Sequence, residues 1–461
     1  MALVNILKNL PEVTGPVEKK LSFNTKLKWT LIVLAAFFIL ANIPLYGLAK
    51  NALDRFQYLA IILGTDFGSI ISLGIGPIVM ASIILQLLVG SKILDIDLTT
   101  EEGKKYFQGL QKLLVFFFVL FEALIYVLMQ GLAAVPGYTF IVVFQLFLGG
   151  LAIVFMDELV SKWGFGSGVS LFIVAGVGWR LFTGMFQFIN EAGQNCLLDF
   201  SNTACAGKVL VMVQSFINQA PTEALSAFAI LVGTVLIFLV VVWAQSLKVE
   251  VPLSFDRLRG YGLRWPLSFF YTSVIPVILT AALAANLQLL GGLLQGWLGH
   301  GTFIGNFVNG QAVSGFAFWI SGFNFLDSLV RGSLQLVFIP KAILHILFYM
   351  TFSTIFAIFW VKTSGMDASS QAKNIIASGL QIPGFRKDER ILESVLARYI
   401  LPLTVMGGAA IGLLAAAADL VGALTSGTAI LLAVMIMYQF YNSISQQHAL
   451  DMHPILRKMA G

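Results

Sequence analysis

The sequence predicts an all-α, polytopic membrane protein with ten transmembrane helices. Hydrophobic residues fill 58% of its 461 positions and charged residues only 11%, whereas soluble domains average about 25% charged residues. Apolar runs of roughly 20 residues, the length needed to cross a bilayer, recur along the whole chain. Because long polar blocks do not separate these runs, the pattern favours one bundle over several domains.

The apolar runs place the ten helices in order along the chain. They cover residues 29–48, 70–90, 113–131, 139–156, 168–189, 225–246, 266–290, 342–361, 399–424 and 429–446. The chain is accordingly divided into an N-terminal segment (1–28), an N-terminal half (29–224), a C-terminal half (225–446) and a tail (447–461).

The distribution of Lys and Arg predicts that both termini are cytoplasmic. With that orientation, all but six of the 28 Lys and Arg residues fall on the cytoplasmic side, as the positive-inside rule requires. The six exceptions are Lys50, Arg55, Arg180, Lys208, Arg331 and Lys341. Leu3, Ile6, Leu7 and Leu10 have helical spacing, so segment 1–28 reads as an amphipathic surface helix rather than a cleaved signal peptide.

An interrupted apolar segment lies between Phe56 and Gly90. It is too long for one span and is broken by several glycines and by Gly76-Pro77. The bilayer tolerates broken helices only where the freed backbone groups face protein or water, so we expect this segment to line an internal conduit. Its residues 56–66 are too short to cross the bilayer.

A short internal echo suggests two related halves. GIGPIV followed by LQLL in the second run resembles VIPVIL followed by LQLL in the seventh. The two runs lie five spans apart, so repeats of five spans would be inverted in the membrane, with a site between them at the midplane. Chance similarity between apolar segments remains an alternative.

Four motifs make the sequence similar to a known family. They are GIGPIV (74–79), MDEL with GFGSGVSLFI (156–173), VEVPLSFDRLRG (249–260) and PGFRKDER (383–390). In these stretches, and in the order of its elements, the chain resembles the SecY family in its archaeal form. The resemblance implies the central pore-forming subunit of the Sec protein translocation channel. Such a channel passes unfolded polypeptides across the cell membrane and releases transmembrane segments laterally into lipid.

The resemblance also implies a pore between two inverted five-helix halves. A short re-entrant plug helix would occupy residues 56–66, and a ring of apolar side chains would close the waist. Carried over by motif, the ring consists of Ile75, Val79, Val169, Ile173, Ile278 and Leu432. Branched aliphatic side chains suit a constriction that excludes hydrated ions, although ordinary packing in apolar helices is an alternative reading.

Polar residues within the spans match the family's lateral gate, which opens between spans two and three and spans seven and eight. Gln86, Glu122 and Asn286 occupy these positions, although Met80 stands where a small polar residue is expected. Hydrogen bonds between such side chains are weak, averaging about 0.6 kcal/mol, so they suit a gate. A purely structural role for Glu122 is the alternative. Asp419, in span nine, should face the bundle interior or water.

Two cytoplasmic loops combine basic residues with tight turns. Arg257 and Arg259 lie in one loop, and Arg386 and Lys387 follow a Pro-Gly turn in the other. The family uses such loops to dock a ribosome carrying a nascent chain, through contacts to rRNA phosphates. Membrane orientation alone also explains basic loops. The other partners that the resemblance implies are the SecE and Sec-beta subunits, signal sequences and membrane lipid.

Three further features can be interpreted without the family. Ser167 in GFGSG is a candidate cap for the following helix, and Asp157-Glu158 read as a solvated helix end. Cys196 and Cys205 lie on the external side by the charge count, where disulfides persist. A bridge would close a loop of about ten residues and add about 2–3 kcal/mol in the chain-entropy model. Two free thiols are the alternative.

Other functions fit the sequence less well. A secondary transporter also uses inverted repeats and broken helices, but its midplane site needs convergent polar groups, and the broken segments here are aliphatic. An intramembrane enzyme is disfavoured because neither an HExxH motif nor a nucleophile paired with a base appears. The Cys and His residues form no metal motif, so neither a metal nor another cofactor is expected.

Overall fold

The fold was analysed in a computed structural model of the chain. The structure describes residues 11–17, 21–48, 68–90, 93–94, 96, 100–128, 132–188, 195–198, 200, 205–255, 262–272, 275–308, 311–333, 335–377, 380–381 and 389–452. Several predicted features lie outside the described residues. They are the surface helix at residues 3–10, the plug at 56–66, Arg257, Arg259, Arg386, Lys387 and the last nine residues of the tail.

The described part of the chain is mostly helical. Its helices are α1 (Phe23–Ala41), α2 (Gly76–Gly90), α3 (Glu101–Leu128), α4 (Thr139–Trp163), α5 (Gly168–Phe186), α6 (Lys208–Ile217), α7 (Pro221–Gln245), α8 (Ile275–Leu298), α9 (Phe316–Ile320), α10 (Phe325–Val330), α11 (Phe338–Thr363), α12 (Ala368–Ala377), α13 (Glu389–Val421) and α14 (Gly427–Met452). Its strands are β1 (Lys248–Phe255), β2 (Gly262–Ser268), β3 (Asn306–Val308), β4 (Gln311–Ser314) and β5 (Leu380–Gln381).

Each of the ten predicted spans has a helical counterpart. Within the described residues, nine helical segments are long and apolar enough to cross a membrane. The tenth, α2, has 15 residues and is therefore only about 22 Å long. Turns at residues 68–75 precede it, with positive φ at Gly68 and Gly74. The glycine-rich interruption predicted before α2 is therefore present.

Several predicted boundaries were wrong. Span seven was expected to begin at residue 266, but residues 262–268 form β2 and α8 begins only at Ile275. Helix α1 ends at Ala41, and the chain then bridges to the broken segment through Pro44 and Ser69. Apolar composition does not distinguish a strand packed against the bundle from a membrane helix, which explains the error at span seven.

The helices of the two halves share one core. Helix α14 packs against α1 and α5 of the first half and against α7, α8 and α13 of the second. Helix α2 packs against α3 and also against α8 and α11 of the second half. The largest buried apolar cluster therefore contains residues from both halves. The halves are joined along the chain by residues 187–220, which contain α6.

A small sheet projects from the bundle between α7 and α8. Strands β1 and β2 form an antiparallel hairpin, and β5 pairs with the far end of β1 at Phe255 and Leu380. The hairpin contacts the bundle through Leu267 and Tyr271, whose hydroxyl donates to the Met366 carbonyl at 2.7 Å. The sheet is thus fixed to the bundle at its base.

Candidate functional site

Five of the six predicted ring residues line one cavity between the two halves. Ile75 and Val79 come from the start of α2, Ile173 from α5, Ile278 from α8 and Leu432 from α14. All five side chains are buried, with exposed fractions between 6% and 9%. The cavity has a volume of about 50 Å³. The cavity is small because branched side chains from four helices converge on it.

The sixth predicted ring residue, Val169, is not part of this lining. It lies one turn before Ile173, in the first turn of α5, and is partly buried against the same apolar cluster. Its backbone N–H donates to Asp157 Oδ1 at 2.9 Å. The prediction of Ser167 as the capping side chain was therefore wrong, since Asp157 supplies the acceptor. Asp157 is partly buried, so it is not the solvated residue that the sequence indicated.

Two backbone contacts position residues of the cavity lining. Ile75 accepts the first backbone hydrogen bond of α2, from Val79 N–H at 3.1 Å, so both side chains lie on one face of the helix. At the start of α14, a Cβ on Gly427 would lie only 1.9 Å from the Ala418 carbonyl carbon. Only glycine permits this contact between α13 and α14, which carries Leu432 toward the cavity.

The rest of the lining is divided between small and polar residues. Ala281, Ala282 and Ala284 of α8 leave room inside the cavity, and the run AALAAN could have indicated a closely packed face. Asp419 lines the cavity, which confirms that this carboxylate faces the interior. Sequence reasoning missed the remaining polar lining residues, which are Gln288, Tyr349, Ser426 and Thr428.

Asp419 belongs to a buried polar cluster beside the cavity. It accepts hydrogen bonds from the backbone N–H and the hydroxyl of Thr428. His345 Nε2 lies 3.6 Å from Asp419 Oδ2, and His345 Nδ1 lies 2.7 Å from the Ile320 carbonyl oxygen. The cluster therefore connects α9, α11, α13 and α14 at one end of the cavity.

The three predicted gate residues lie on the helices expected of them but do not bond to one another. Gln86 is 3% exposed, and among the described residues its Oε1 has no hydrogen-bond partner. Asn286 donates to Ala282 of its own helix at 2.8 Å, and Glu122 is partly exposed on α3. All three side chains lie within the described residues, and no hydrogen bond joins any two of them.

Apolar packing instead fills the seam between α2–α3 and α8–α11. Ala285, Leu289 and Leu293 of α8 belong to the same buried cluster as the inward face of α3. At the end of α2, a Cβ on Gly90 would lie 2.5 Å from the Phe359 ring of α11. Polar contacts occur instead on each side of the seam, between Gln111 and Ser82 and between Thr280 and Ser353.

The other predictions concern the basic loops, the two cysteines and metal binding. The basic residues at positions 257, 259, 386 and 387 lie outside the described residues, but the segments that contain them follow β1 and β5, which are neighbours in one sheet. The sulfur atoms of Cys196 and Cys205 are bonded, with Cα atoms 5.3 Å apart. Within the described residues, no group of three or more His, Cys, Asp or Glu side chains is placed to hold a metal.

The five aliphatic side chains of the predicted ring, as distinct from the polar residues of the same lining, suit a seal. The aliphatic side chains offer no fixed hydrogen bonds to a solute, and a narrow apolar constriction excludes hydrated ions by dewetting. Soft van der Waals contacts can be displaced without breaking a polar network. The aliphatic side chains can therefore close around molecules of different shape and close again when the molecule leaves.

Comparisons with known proteins match the chain along nearly its full length. The SecY family model matches residues 69–441, and the model of the plug domain of Sec61p matches residues 36–68. The protein translocase subunit SecY of Methanothermobacter thermautotrophicus is 44% identical over 458 residues, covering 98% of this chain and 97% of that protein.

Solved structures agree in fold and coverage. One described as the structure of a protein conducting channel has a TM-score of 0.84 and 38% identity, with 98% of both chains covered. Sec61 in the canine ribosome-channel complex from the endoplasmic reticulum has a TM-score of 0.80 and 37% identity, also with 98% of both chains covered. With a family model spanning most of its length, full-length relatives and the same helical architecture, the chain belongs to the SecY family.

Proposed function

We propose that this chain is the central pore-forming subunit of a Sec protein translocation channel in the cell membrane. The observation that carries the proposal is the aliphatic cavity between the two halves, to which α2, α5, α8 and α14 each contribute. Unfolded polypeptides pass through this constriction, and transmembrane segments leave sideways into lipid. The related protein-conducting channels, matched over nearly the whole chain, support this function.

In this proposal the ring residues seal the resting channel. Ile75, Val79, Ile173, Ile278 and Leu432 form the constriction, and Val169 extends its apolar surface by one turn of α5. Residues 56–66 form a plug that adds a second barrier. The match of the Sec61p plug model to residues 36–68 supports that assignment.

The lateral gate is the seam between α2–α3 and α8–α11. Its apolar packing separates at modest cost when a hydrophobic signal sequence replaces the lost contacts. The buried oxygen of Gln86 has no hydrogen-bond partner in the described part of the chain, and Glu122 and Asn286 lie on the neighbouring gate helices. Together they provide the polar groups that exchange partners as the seam opens.

The small sheet forms the docking surface for a ribosome with its nascent chain. The segments that contain Arg257, Arg259, Arg386 and Lys387 follow neighbouring strands of one sheet, which supports a shared role of the two segments in docking. A related Sec61 was solved in a ribosome-channel complex, which supports this role. Both termini share the cytoplasmic side with this projection, and SecE and Sec-beta complete a heterotrimer in the membrane.

An arrested polypeptide provides the direct test. A photocrosslinking amino acid at Ile278 or Leu432 should link to a translocating chain stalled inside the channel. The same residue at Leu401, which is 60% exposed on the outer face of α13, serves as the control and should not react. The alternative is a secondary transporter with inverted repeats. It would give no crosslink at any of these positions, together with saturable uptake of a small solute.

A further inference from the structure

A buried histidine on α11 lies directly behind the cavity lining. His345 is 1% exposed, and its ring centroid is 4.8 Å from that of Tyr349, which lines the cavity. Its Nε2 atom faces Asp419, a second lining residue, with 3.6 Å between Nε2 and Oδ2. A polar ring is seldom buried this completely without hydrogen bonds. The proposed seal consists of aliphatic side chains, so it does not itself involve this histidine.

The hydrogen bond at one ring nitrogen of His345 fixes the state of the other. Nδ1 lies 2.7 Å from the carbonyl oxygen of Ile320, the last residue of α9. A carbonyl oxygen can only accept, so Nδ1 carries a hydrogen. In a neutral ring with that hydrogen, Nε2 has a lone pair instead. Among the described residues, Nε2 has no hydrogen-bond partner, and it faces the Asp419 carboxyl group.

The Asp419 side chain is bonded to the start of α14. Oδ1 accepts from the Thr428 backbone N–H at 2.7 Å, and Oδ2 accepts from the Thr428 hydroxyl. Because both oxygens accept, the arrangement suits the ionised carboxylate. A neutral His345 would turn a lone pair toward this negative charge, whereas an imidazolium would turn an N–H group toward it. The proton on Nε2 therefore decides whether the two side chains repel or attract each other.

Most of the helices around His345 carry no charge that could compete with Asp419. Helices α2, α8 and α9 pack against α11, and none of the three contains an ionisable side chain. Helix α14 has none in residues 427–436, the part that begins beside Asp419. These parts of the described surroundings of His345 are therefore uncharged.

Helices α11 and α13 provide the ionisable groups near His345. On α11, Tyr349 contacts the histidine ring, and Lys341 lies one turn earlier, where its ammonium is held over two aromatic rings. On α13, the other ionisable residues lie at 389–399, about 30 Å from Asp419 along the helix. Among the described residues, Asp419 is therefore the negative charge that meets His345.

We propose that His345 is a positioning residue for the cavity lining, and that its Nε2 proton sets how firmly α14 is held. As an imidazolium, His345 links the Ile320 carbonyl to the Asp419 carboxylate, and Asp419 in turn caps the start of α14. Leu432 lies one turn beyond Thr428 on this helix and lines the cavity. Loss of the proton as pH rises breaks the link, so the start of α14 loosens. The consequence for ion leakage rests on the proposed sealing role of the cavity.

Hydrogen exchange at the Thr428 backbone N–H, which donates to Asp419, reports on this link. The full chain is measured in lipid nanodiscs at about pH 5.5 and about pH 9, on either side of the range in which histidine titrates, with rates corrected for intrinsic exchange. We expect wild-type protection to fall by at least about tenfold at the higher pH, as for loss of one charge-assisted hydrogen bond. Unchanged protection in the wild type would overturn the proposal, and this measurement requires no substitution.

Two conservative variants test whether the effect comes from the side of the ring that faces Asp419. Gln places an N–H group near the Nε2 position, whereas Asn places one near Nδ1 and leaves no donor toward Asp419. His345→Gln should therefore keep the protection of the Thr428 N–H at both pH values, and His345→Asn should lose it at both. His300→Asn, at an exposed position, is the control and should follow the wild type. Equal protection in the two His345 variants would overturn the proposal.

Planar-bilayer conductance separates this inference from the proposed function. If the cavity is the seal, His345→Asn should conduct ions at rest, and so should the triple Gly variant of Ile75, Val79 and Ile278. Fast exchange in His345→Asn without conductance in either variant would uphold the positioning role and overturn the sealing role. Conductance in the triple variant, together with wild-type exchange in His345→Asn, would overturn the positioning role alone.

Discussion

Asp419, in the last turn of α13, accepts a hydrogen bond from the backbone N–H of Thr428 at 2.7 Å, and its second carboxylate oxygen accepts from the Thr428 hydroxyl. The carboxylate thus caps the start of α14, where the backbone N–H groups lack helical partners. Leu432 lies one turn further along the same helix and lines the cavity. The cap therefore determines where this part of the cavity lining lies.

Removal of the cap should destabilise the protein. Asp419→Ala deletes both acceptors and leaves a buried N–H group unpaired, so we expect a loss of about 1–3 kcal/mol. Thermal unfolding in lipid nanodiscs measures the change. Asp419→Asn retains one acceptor oxygen, so its transition temperature should lie between those of the wild type and Asp419→Ala. Equal transition temperatures for wild type and Asp419→Ala would show that the cap contributes nothing.

Widening of the constriction should make it conduct ions. Combined Gly substitutions at Ile75, Val79 and Ile278 remove three aliphatic walls of the cavity, so water enters and the dewetting barrier falls. Planar-bilayer recordings should show a resting conductance well above that of the wild type. Gly at Leu87 and Leu290, which face outward on α2 and α8, is the matched control. Unchanged conductance in the triple variant, even with residues 56–66 deleted, would exclude these residues as the seal.

Charge reversal in the two basic loops should weaken ribosome binding. Replacement of Arg257, Arg259, Arg386 and Lys387 by Glu removes up to four phosphate contacts, so affinity should fall and depend less steeply on salt. Cosedimentation with ribosomes at several salt concentrations provides the measurement. Reversal at Lys208 and Arg331, which the charge rule places on the external side, should change neither quantity. If both sets of variants behave alike, the basic loops serve only membrane orientation.

The cysteines should resist alkylation until the protein is reduced. Cys196 and Cys205 are the chain's two cysteines and are bonded to each other. Protein purified without reductant, denatured and treated with iodoacetamide should therefore gain no mass, and reduced protein should gain two adducts. Loss of the bridge in Cys196→Ser should lower stability by about 2–3 kcal/mol in the chain-entropy model. Two adducts without reduction would disprove the bridge.

Acid should release the N-terminal segment 11–17 from the end of α4. Glu12 accepts a hydrogen bond from Lys162, and this contact holds the pKa of the Glu12 carboxyl below its ordinary value of 4.5. A lowered folded-state pKa stabilises docking above the ordinary value, and the stabilisation is lost as pH falls through the lowered value. Because the Glu12 side chain is 65% exposed, we expect a loss of less than about 1 kcal/mol.

Hydrogen exchange between pH 7 and pH 3, corrected for the intrinsic rate, measures this release. Val13 is a suitable reporter, since its N–H donates to Glu158 at 2.9 Å and its carbonyl accepts from Lys162 at 2.6 Å. In Glu12→Gln, the Val13 N–H should be less protected from exchange at pH 7 and should lose less protection on acidification. A transition of equal size in Glu12→Gln would assign the effect to another group.

The membrane architecture followed from the amino-acid sequence alone. Apolar runs of bilayer length predicted ten helices because each span must satisfy its backbone polar groups internally, which leaves few alternatives to a long apolar helix. The break before α2 followed from the backbone freedom of Gly68 and Gly74, a local property. The motifs around Ile75, Val79, Ile173 and Ile278 identified residues of the cavity because motif positions carry over to equivalent places in the fold.

The tertiary structure alone decided how distant segments meet. Ser167 looked like a cap, but Asp157 provides the hydrogen bond because α4 and α5 turn back on each other. Thr428 and Tyr349 line the cavity beside Leu432, whereas Val169 does not, although it lies one turn from Ile173. On α6 the buried Gln214 and the exposed Phe216 reverse the usual pattern. Each outcome depends on which side chains of a helix face the protein interior. That orientation is set by packing between residues far apart in the chain.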